Sequence, residues 1–423
     1  MTQLPFYRLP YGARRDRLAQ LAHLTVAQLA TIAARRQSGD DQLIENYLMT
    51  YGLPEGVAVN LRVDGREVVV PMVTEEPSVI AAASNGGRLL NSREGIVTTV
   101  DRREVMGQIV FNHVADSTGL EAWLNANSQT ILDVANAAHP SLVTKHGGGA
   151  RSIRVRRLPP HWVSLDVFID VGEAMGANLV NTLCETVANY IKAHLKVDVL
   201  MSILSNYATH SLVTARVAVP VTQLATKTVD GATVAEKICE ASDYAQIDPY
   251  RAVTHNKGIM NGIDAVVIAT GNDWRAVESG AHAFASQSGQ YRGLSRWWLG
   301  EQGTELHGEL TVPLALGVVG GATRVFPLVV INQQLAGQPT ASELMGIVAA
   351  VGLAQNVAAL RALVTEGIQR GHMHLQLKSL ALSVGATPAE LPAVVAQLQA
   401  ITQPTMAQAQ AALTAVRQEN LRK

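Results

Sequence analysis

The sequence has few cysteines, few charged residues and no long apolar run. Its two cysteines, Cys184 and Cys239, are too few for the disulfide framework of a small secreted protein. They could pair with each other, but both lie in apolar, helix-like stretches, which favours two reduced buried thiols. No uninterrupted apolar run reaches the ~20 residues that span a bilayer, and the first residues lack the pattern of a signal peptide. We therefore expect a cytoplasmic protein with no membrane partner.

An excess of charge of one sign is also absent, because 34 Lys and Arg residues balance 35 Asp and Glu residues. This balance gives no electrostatic reason to expect a nucleic acid as partner. The chain is instead rich in apolar residues, which make up 48% of the sequence. Its 423 residues are too many for one ordinary core. We expect two or three domains, with apolar surface left for contacts between subunits.

The clearest local pattern is a hairpin in the first quarter of the chain. Residues 57–63 place an apolar side chain at every odd position, which is the period of a half-buried strand. Asp64 and Gly65 separate this strand from a second one at residues 66–70. A two-residue Asp-Gly link between strands predicts a type I′ turn.

The middle of the chain, residues 105–212, has its own strand–helix rhythm and includes an alternating strand at 163–171. Gly-rich stretches lie at 147–150 and 172–178, and neither has the G-x-G-x-x-G spacing of a Rossmann unit. Glycines before a helix still allow backbone N–H groups to approach a pyrophosphate. We predict a compact inserted α+β domain without a Rossmann sheet.

A lysine lies in the Gly-rich, weakly charged block of residues 255–264, and Asp273 follows the next apolar run. Burying an unpaired ammonium is expensive, so Lys257 should be neutralised, paired or used chemically. Asp273 is its candidate partner. Taken alone, the block also fits a solvated or salt-bridged surface lysine.

Two further segments carry groups that can transfer protons. Proline is favoured in the first turn of a helix, so Pro77 places Glu75 and Glu76 at a helix N-terminus. Alone, such carboxylates fit surface residues that stabilise the helix dipole. His372 follows two hinge-like glycines in residues 367–373, and alone a histidine on an Ala/Leu-rich helix fits a structural role.

Together, these segments resemble the 3-hydroxy-3-methylglutaryl-coenzyme A (HMG-CoA) reductase family, in particular its soluble class II bacterial enzymes. Residues 255–264 with Asp273 are similar to the family's catalytic lysine and aspartate block. Residues 71–78 resemble its catalytic glutamate motif, and residues 367–373 resemble its flap motif. The resemblance implies the catalytic residues Glu76, Lys257, Asp273 and His372.

The resemblance covers almost the whole chain, from residue 44 to about residue 380, and it extends to binding residues. Residues 173–178 resemble the family's D-A-M-G-x-N nucleotide motif, with Glu173 in place of the usual aspartate. This exchange keeps the carboxylate but lengthens its reach. The implied cofactor-binding residues are Glu173, Met175, Gly176, Asn178, Asn181, Gly320 and Gly321. The implied substrate-binding residues are Ser78, Asn206, Arg251 and Asn261.

The implied architecture is α/β (α+β) and has three parts. Residues 1–104 and 213–365 form a large catalytic domain with a central apolar helix, which also binds coenzyme A. Residues 105–212 form the small non-Rossmann domain that binds the nicotinamide cofactor, and residues 366–423 form a C-terminal helical flap. Residues 45–49 are similar to the family's E-N-V-I-G dimerisation motif, so we expect a homodimer or a larger assembly built from dimers.

The implied reaction converts HMG-CoA to mevalonate and coenzyme A with two molecules of NADPH or NADH and no metal. Lys257 would stabilise the oxyanion, Asp273 would orient Lys257, and Glu76 would act as general acid. His372 would protonate the coenzyme A thiolate. Two alternatives are an inactive acyl-CoA-binding homologue and a different acyl-CoA reductase or lyase. The sequence leaves open whether the physiological direction is biosynthetic or degradative.

Cofactor choice is a separate expectation. NADH-preferring class II enzymes can carry an aspartate shortly before the Gly-rich turn, and here Pro140 falls about where that aspartate would lie. Lys145, His146 and Arg151 provide positive or titratable groups nearby, and such groups favour a 2′-phosphate. We predict that NADPH is tolerated and preferred.

Overall fold

The computed structural model describes residues 4–37, 39–321, 326–367, 377–401 and 404–422. The chain divides into two compact units, Met1–Pro54 and Glu55–Lys423. In the first unit the helices are α1 (Tyr11–Ala22), α2 (Val26–Ala34) and α3 (Asp40–Leu43).

The predicted dimerisation segment, residues 45–49, is fixed within the first unit. Tyr47 is buried, and its hydroxyl accepts a hydrogen bond from the backbone N–H of Gln37 at 2.9 Å. The Tyr11 hydroxyl donates to the carbonyl of Leu48 at 2.8 Å. These two tyrosines hold the segment against the helices of its own unit.

In its described residues, the second unit contains three antiparallel sheets and the remaining helices. Its described strands are β1 (Glu55–Val63), β2 (Arg66–Val73), β3 (Val97–Val100), β4 (Glu104–Phe111), β5 (Gly149–Leu158), β6 (Trp162–Asp170), β7 (Val199–Leu204), β8 (Leu212–Pro220), β9 (Ser295–Leu299) and β10 (Glu305–Pro313). Its bounded helices are α4 (Val79–Leu89), α5 (Ser117–Ala126), α6 (Ser128–Ala138), α7 (Pro140–His146), α8 (Ala177–His194), α9 (Gly231–Ile247), α10 (Pro249–Ala269), α11 (Trp274–Ala285), α12 (Pro327–Leu335), α13 (Ala341–Val364), α14 (Leu391–Gln399) and α15 (Met406–Arg422).

The hairpin of β1 and β2 forms as predicted, with Asp64 and Gly65 at φ +49° and +78°. Both values lie in the left-handed region that a type I′ turn requires. The expected burial of every odd residue in β1 is wrong. A β-bulge between Ala58 and Leu61 adds a residue and reverses the alternation, so that Ala58 is buried and Val59 is exposed.

The predicted inserted region contains the sheet β5-β6-β4-β7, in which all neighbours are antiparallel. Its buried core residues, between Val105 and Ile191, come mainly from β4, β5 and β6 and from α5, α6, α7 and α8. A Rossmann unit needs parallel strands, so the prediction of a mixed α/β fold without one is confirmed. The next strand in the chain, β8, belongs to the other four-stranded sheet, β3-β8-β10-β9.

Strand β6 is buried on both faces, although its sequence alternates. The reason is Asp166, which binds Arg156 Nε at 2.6 Å and Arg154 Nη2 at 2.9 Å. Burial alone would raise the pKa of Asp166, but hydrogen bonds from Arg156, Ser164 and Arg154 outweigh it and hold that pKa below its ordinary value. A paired carboxylate thus occupies a position that would otherwise face solvent.

Helix α13 is the centre of the larger core and packs against α4, α9, α10 and the four strands β1, β3, β8 and β10. By length and composition this described helix could cross a membrane, and 72% of its most apolar window is buried within the protein. It begins with a capping box, in which Thr340 and Glu343 satisfy each other's backbone N–H groups. The structure therefore confirms the predicted central apolar helix.

A third, smaller core lies in the C-terminal part of the chain. Leu377, Val394, Leu398 and Leu413 pack together there, with α14 and α15 supplying most of the buried residues. Residues 368–376, which belong to the predicted flap of residues 366–423, lie outside the described residues. The domain boundaries at 104, 212 and 365 stay predictions.

Both cysteines are free thiols, as predicted. Cys184 is buried, whereas Cys239 is only partly buried. Burial raises the pKa of Cys184 to about 12 and that of Cys239 to about 11, so both thiols are unreactive near neutral pH.

Candidate active site

Lys257 lies in the third turn of α10, which Asp248 caps by accepting the backbone N–H of Arg251 at 3.0 Å. Its preceding neighbours His255 and Asn256 are buried, but Lys257 itself is exposed. Within the described parts of the chain no carboxylate forms an ion pair with it. The ammonium of Lys257 therefore faces open space on this chain.

Asp273 is the N-cap of α11. Its Oδ1 accepts the backbone N–H groups of Arg275 at 3.0 Å and Ala276 at 3.2 Å, and its Oδ2 accepts from Arg275 Nη2 at 3.2 Å. In the described part of the chain it is therefore Arg275, and not Lys257, that pairs with Asp273. The physical reason is local, because the first turn of α11 has unpaired N–H groups that an Asp cap satisfies.

Glu76 and Ser78 lie in the turn before α4. The helix begins at Val79 with Ser78 as its N-cap, so Pro77 precedes the first turn, and its expected place inside that turn is wrong. The Ser78 hydroxyl donates to Glu76 Oε1 at 2.9 Å and makes no side-chain capping bond to the helix. The predicted general acid and the predicted substrate-binding serine thus contact each other.

The remaining predicted substrate residues lie on two elements. Asn261 is one turn beyond Lys257 on the same face of α10. Arg251 is half-buried at the start of that helix, and burial lowers its pKa. Asn206 is exposed, and its carbonyl lies where a Cβ on Gly280 of α11 would approach within 2.8 Å. The glycine therefore allows the Asn206 loop to lie against α11.

The predicted cofactor segment surrounds the start of α8, where Gly176 is the N-cap. Glu173 Oε2 accepts the backbone N–H of Ala341 at 2.7 Å, which attaches this segment to the first turn of α13. Asn178 is exposed in the first turn of α8, and Asn181 Oδ1 accepts the backbone N–H of Leu204 at 2.8 Å. Glu173 and Asn181 thus make structural contacts here.

The Gly-rich turn at 317–321 lies directly against this segment. Ala174 and Val319 form a β-bridge, and a Cβ at Gly317 would overlap the backbone of Met175. Because Gly320 and Gly321 directly follow Val319 in the chain, they lie near the segment that leads into α8. A Gly-rich turn beside a helix N-terminus can form a cradle in which backbone N–H groups approach a dinucleotide pyrophosphate.

His372 lies outside the described residues. Arg151 is exposed and binds Asp170 Oδ2 at 3.0 Å, and Lys145 is exposed near the end of α7. Within the described ranges, no group of three or more His, Cys, Asp or Glu side chains could hold a metal ion.

Two further polar groups lie on α10, the helix that carries Lys257, and of these Asp264 was not singled out from the sequence. His255 is buried and contacts Ser295 Oγ at 2.7 Å and Asn356 Nδ2 at 3.2 Å, and burial followed by the charge of Arg251 lowers the pKa of His255 to about 4. Asp264 hydrogen-bonds Glu278, and burial raises its pKa to about 9. The sequence feature that could have indicated Asp264 is its spacing, because a residue seven positions after Lys257 lies on the same face of a helix.

Comparison with known proteins agrees with this geometry. The profile of the hydroxymethylglutaryl-coenzyme A reductase family matches residues 11–377. The reductase of Archaeoglobus fulgidus is 40% identical over 395 residues, which is 92% of this chain and 89% of that protein. A probable reductase of Borreliella burgdorferi is 34% identical over 343 residues, with 80% and 77% covered.

Solved structures give the same result. The reductase of Streptococcus pneumoniae is 42% identical, with a TM-score of 0.76 over 98% of this chain and 99% of that chain. A class II structure from the same organism, bound to NADPH in open conformations, is 42% identical with a TM-score of 0.76 and covers 98% and 100%.

The chain therefore belongs to the hydroxymethylglutaryl-coenzyme A reductase family. Within that family its structural match is to the class II type. It is a nicotinamide-dependent oxidoreductase of the mevalonate pathway, and an inactive acyl-CoA-binding homologue is not favoured.

Proposed function

We propose that this chain interconverts HMG-CoA and mevalonate plus coenzyme A, with Lys257 as the cation that stabilises the substrate oxyanion. The observation that supports this role is the exposed ammonium of Lys257, one helical turn from Asn261. A free cation on a rigid helix is available to a carbonyl oxygen as charge develops. Asp273 orients Lys257 by exchanging its exposed Arg275 partner, an exchange that costs little because surface ion pairs are weak.

Glu76 is the proposed general acid for the alcohol oxygen. The Ser78 hydroxyl donates to the carboxyl group of Glu76 and fixes its orientation. A general acid needs such a fixed orientation to transfer its proton. His372 is proposed to protonate the departing thiolate of coenzyme A and so prevent its return to the aldehyde. Arg251, Asn206 and Asn261 bind the substrate in this proposal.

The proposed cofactor site consists of the start of α8 and the 317–321 turn. Glu173, Met175, Gly176 and Asn178 lie on one side, with Asn181 further along α8 and Gly320 and Gly321 opposite. The bound nicotinamide supplies the hydride for each reduction. Arg151 and Lys145 are exposed cations near the Gly-rich strand start, which supports the proposed preference for NADPH.

We further propose a cytoplasmic homodimer, or a larger assembly of dimers, with the predicted domain boundaries. Exposed apolar side chains flank Arg251 at the junction of α9 and α10, where Tyr250 is 86% exposed and Ile247 is 69% exposed. Neighbouring exposed apolar side chains of this kind support an interface at this junction. An interface there would place substrate-binding residues beside the partner subunit.

Two variants test the proposed roles. Lys257→Ala should lower kcat by about 10²–10³-fold for both HMG-CoA and added mevaldehyde, because each step develops an oxyanion. His372→Gln should impair only the thioester reaction. Lys237→Ala, an exposed lysine on α9, is the matched control and should keep normal activity. Equal losses on both substrates in His372→Gln would show that the thiolate role is wrong.

A further inference from the structure

Lys257 and Asp273 lie on consecutive helices, α10 and α11, which only residues 270–273 connect. Their relative position therefore depends on how α11 is held against α10. Apolar contacts contribute through Val277 and Ala281, which are buried on α11. A second set of contacts between these helices is polar and involves none of the proposed catalytic residues.

The polar contact begins with two acids. Asp264 of α10 hydrogen-bonds Glu278 of α11, and Asp264 Oδ1 is buried without another partner in the described chain. A hydrogen bond between two carboxyl groups requires a proton on one of them, and two ionised carboxylates in contact would repel each other, so the pair shares one proton. Burial, followed by the hydrogen bond and charge of Glu278, raises the pKa of Asp264. A hydrogen bond to His282 lowers the pKa of Glu278, so the proton belongs on Asp264.

From Glu278 the polar contacts return to α10. Glu278 Oε2 lies 2.6 Å from His282 Nε2, and His282 Nδ1 lies 2.6 Å from the hydroxyl of Tyr291. The segment after Tyr291 is fastened to Asn256 of α10, whose Nδ2 donates to the carbonyl of Arg292 at 2.8 Å. Asn256 directly precedes Lys257. The contacts therefore form a ring that meets α10 on both sides of Lys257, at positions 256 and 264.

We propose that Asp264, Glu278, His282 and Tyr291 are positioning residues that lock α11 to α10 through one shared proton and so keep Asp273 in register with Lys257. The proposal rests on the proposed role of Lys257. His282 of α11 and Tyr291 of the following segment are the titratable groups that act on the acid pair. On α10 itself, Lys257 is two turns away, roughly 10 Å along the axis. Loss of the shared proton separates the two helices by charge repulsion.

The experiment compares Asp264→Ala with Asp264→Asn, whose amide donates to Glu278 but does not titrate. Asp264→Ala should lower kcat roughly 10- to 100-fold with little change in KM, because catalytic groups lose their register. Asp264→Asn should restore most of that kcat, and the alkaline decline of kcat should move upward by at least about one pH unit. Asp243→Ala, an exposed acid on α9, is the matched control.

Infrared difference spectra of wild type and Asp264→Asn supply a readout that does not depend on activity. A protonated carboxyl band at neutral pH should be present in wild type and absent in the variant. Absence of that band from wild type, or an unchanged alkaline limb in Asp264→Asn, would overturn the proposal. If Asp264→Ala keeps full kcat while Lys257→Ala is inactive, the positioning proposal is overturned and the role of Lys257 stands. An active Lys257→Ala would overturn both.

Discussion

Replacing Asn356 by leucine should destabilise the larger core, because this side chain satisfies the polar groups around it. Asn356 lies on α13 and is 2% exposed. Its Oδ1 accepts from Trp297 Nε1 at 2.7 Å and from Ser295 Oγ at 2.8 Å, and its Nδ2 lies 3.2 Å from His255 Nε2. The four side chains form a polar island inside an apolar core.

The magnitude follows from which groups lose a partner. In Asn356→Leu the Trp297 N–H has no acceptor left among these groups, and one such buried donor costs about 1–3 kcal/mol. Ser295 keeps its contact with His255 at 2.7 Å, so it adds little. We expect the free energy of unfolding to fall by about 2–3 kcal/mol. In a Trp297→Phe background the orphaned donor is gone, and the same change should cost about 1–2 kcal/mol less.

The assay is urea unfolding at pH 7, followed by far-ultraviolet circular dichroism, for wild type, both single variants and the double variant. Asn125→Leu, on the exposed side of α5, is the control and should change the unfolding free energy by less than about 0.5 kcal/mol. If the two single effects add to within about 0.5 kcal/mol in the double variant, the inferred coupling between Asn356 and Trp297 is refuted.

Three further predictions concern pH, cofactor choice and the cofactor cradle. Because burial and Arg251 hold the pKa of His255 near 4 in the native state, stability is complete above about pH 6.5 and falls by about 3 kcal/mol towards pH 4. In His255→Gln the urea midpoint should change less with pH than in wild type, and an unchanged pH dependence would contradict this prediction. The kcat/KM ratio should favour NADPH and decline in Arg151→Ala; a ratio favouring NADH by about tenfold, or 1.4 kcal/mol, would disprove the preference. Gly317→Val should raise KM for the cofactor more than KM for HMG-CoA, since its side chain would displace Met175; equal increases would rule out the proposed cradle.

Patterns confined to a few neighbouring residues predicted local structure well. The Asp64-Gly65 link specified a type I′ turn because few residue pairs accept positive φ at both positions. The bulge after Ala58 was not predictable in the same way. Alternating apolar residues are compatible with either face, and only the register against β2 decides which face is buried.

In the candidate site, too, local sequence patterns were informative and contacts between distant residues were not. Motif resemblance identified Lys257, Glu76 and Asp273 one by one, and their roles stay predictions. Contacts between distant parts of the chain were not predictable, because they depend on the packing of whole elements. The bond from Glu173 to the start of α13 joins residues 168 positions apart, and no local pattern indicates it.

The place of α13 in the sequence has a consequence for biosynthesis. This helix forms the middle of the larger core, yet the ribosome makes it only after most of the strands and helices that surround it. The buried residues of the smaller core lie between Val105 and Ile191 and the last strand of its sheet, β7, ends at Leu204, so this core should fold while the chain is still being translated. Ribosome-bound chains halted before residue 341 should therefore contain a protease-resistant fragment from that region and nothing comparable from residues 213–330. Until α13 emerges, the apolar surfaces that it will cover are exposed to chaperones.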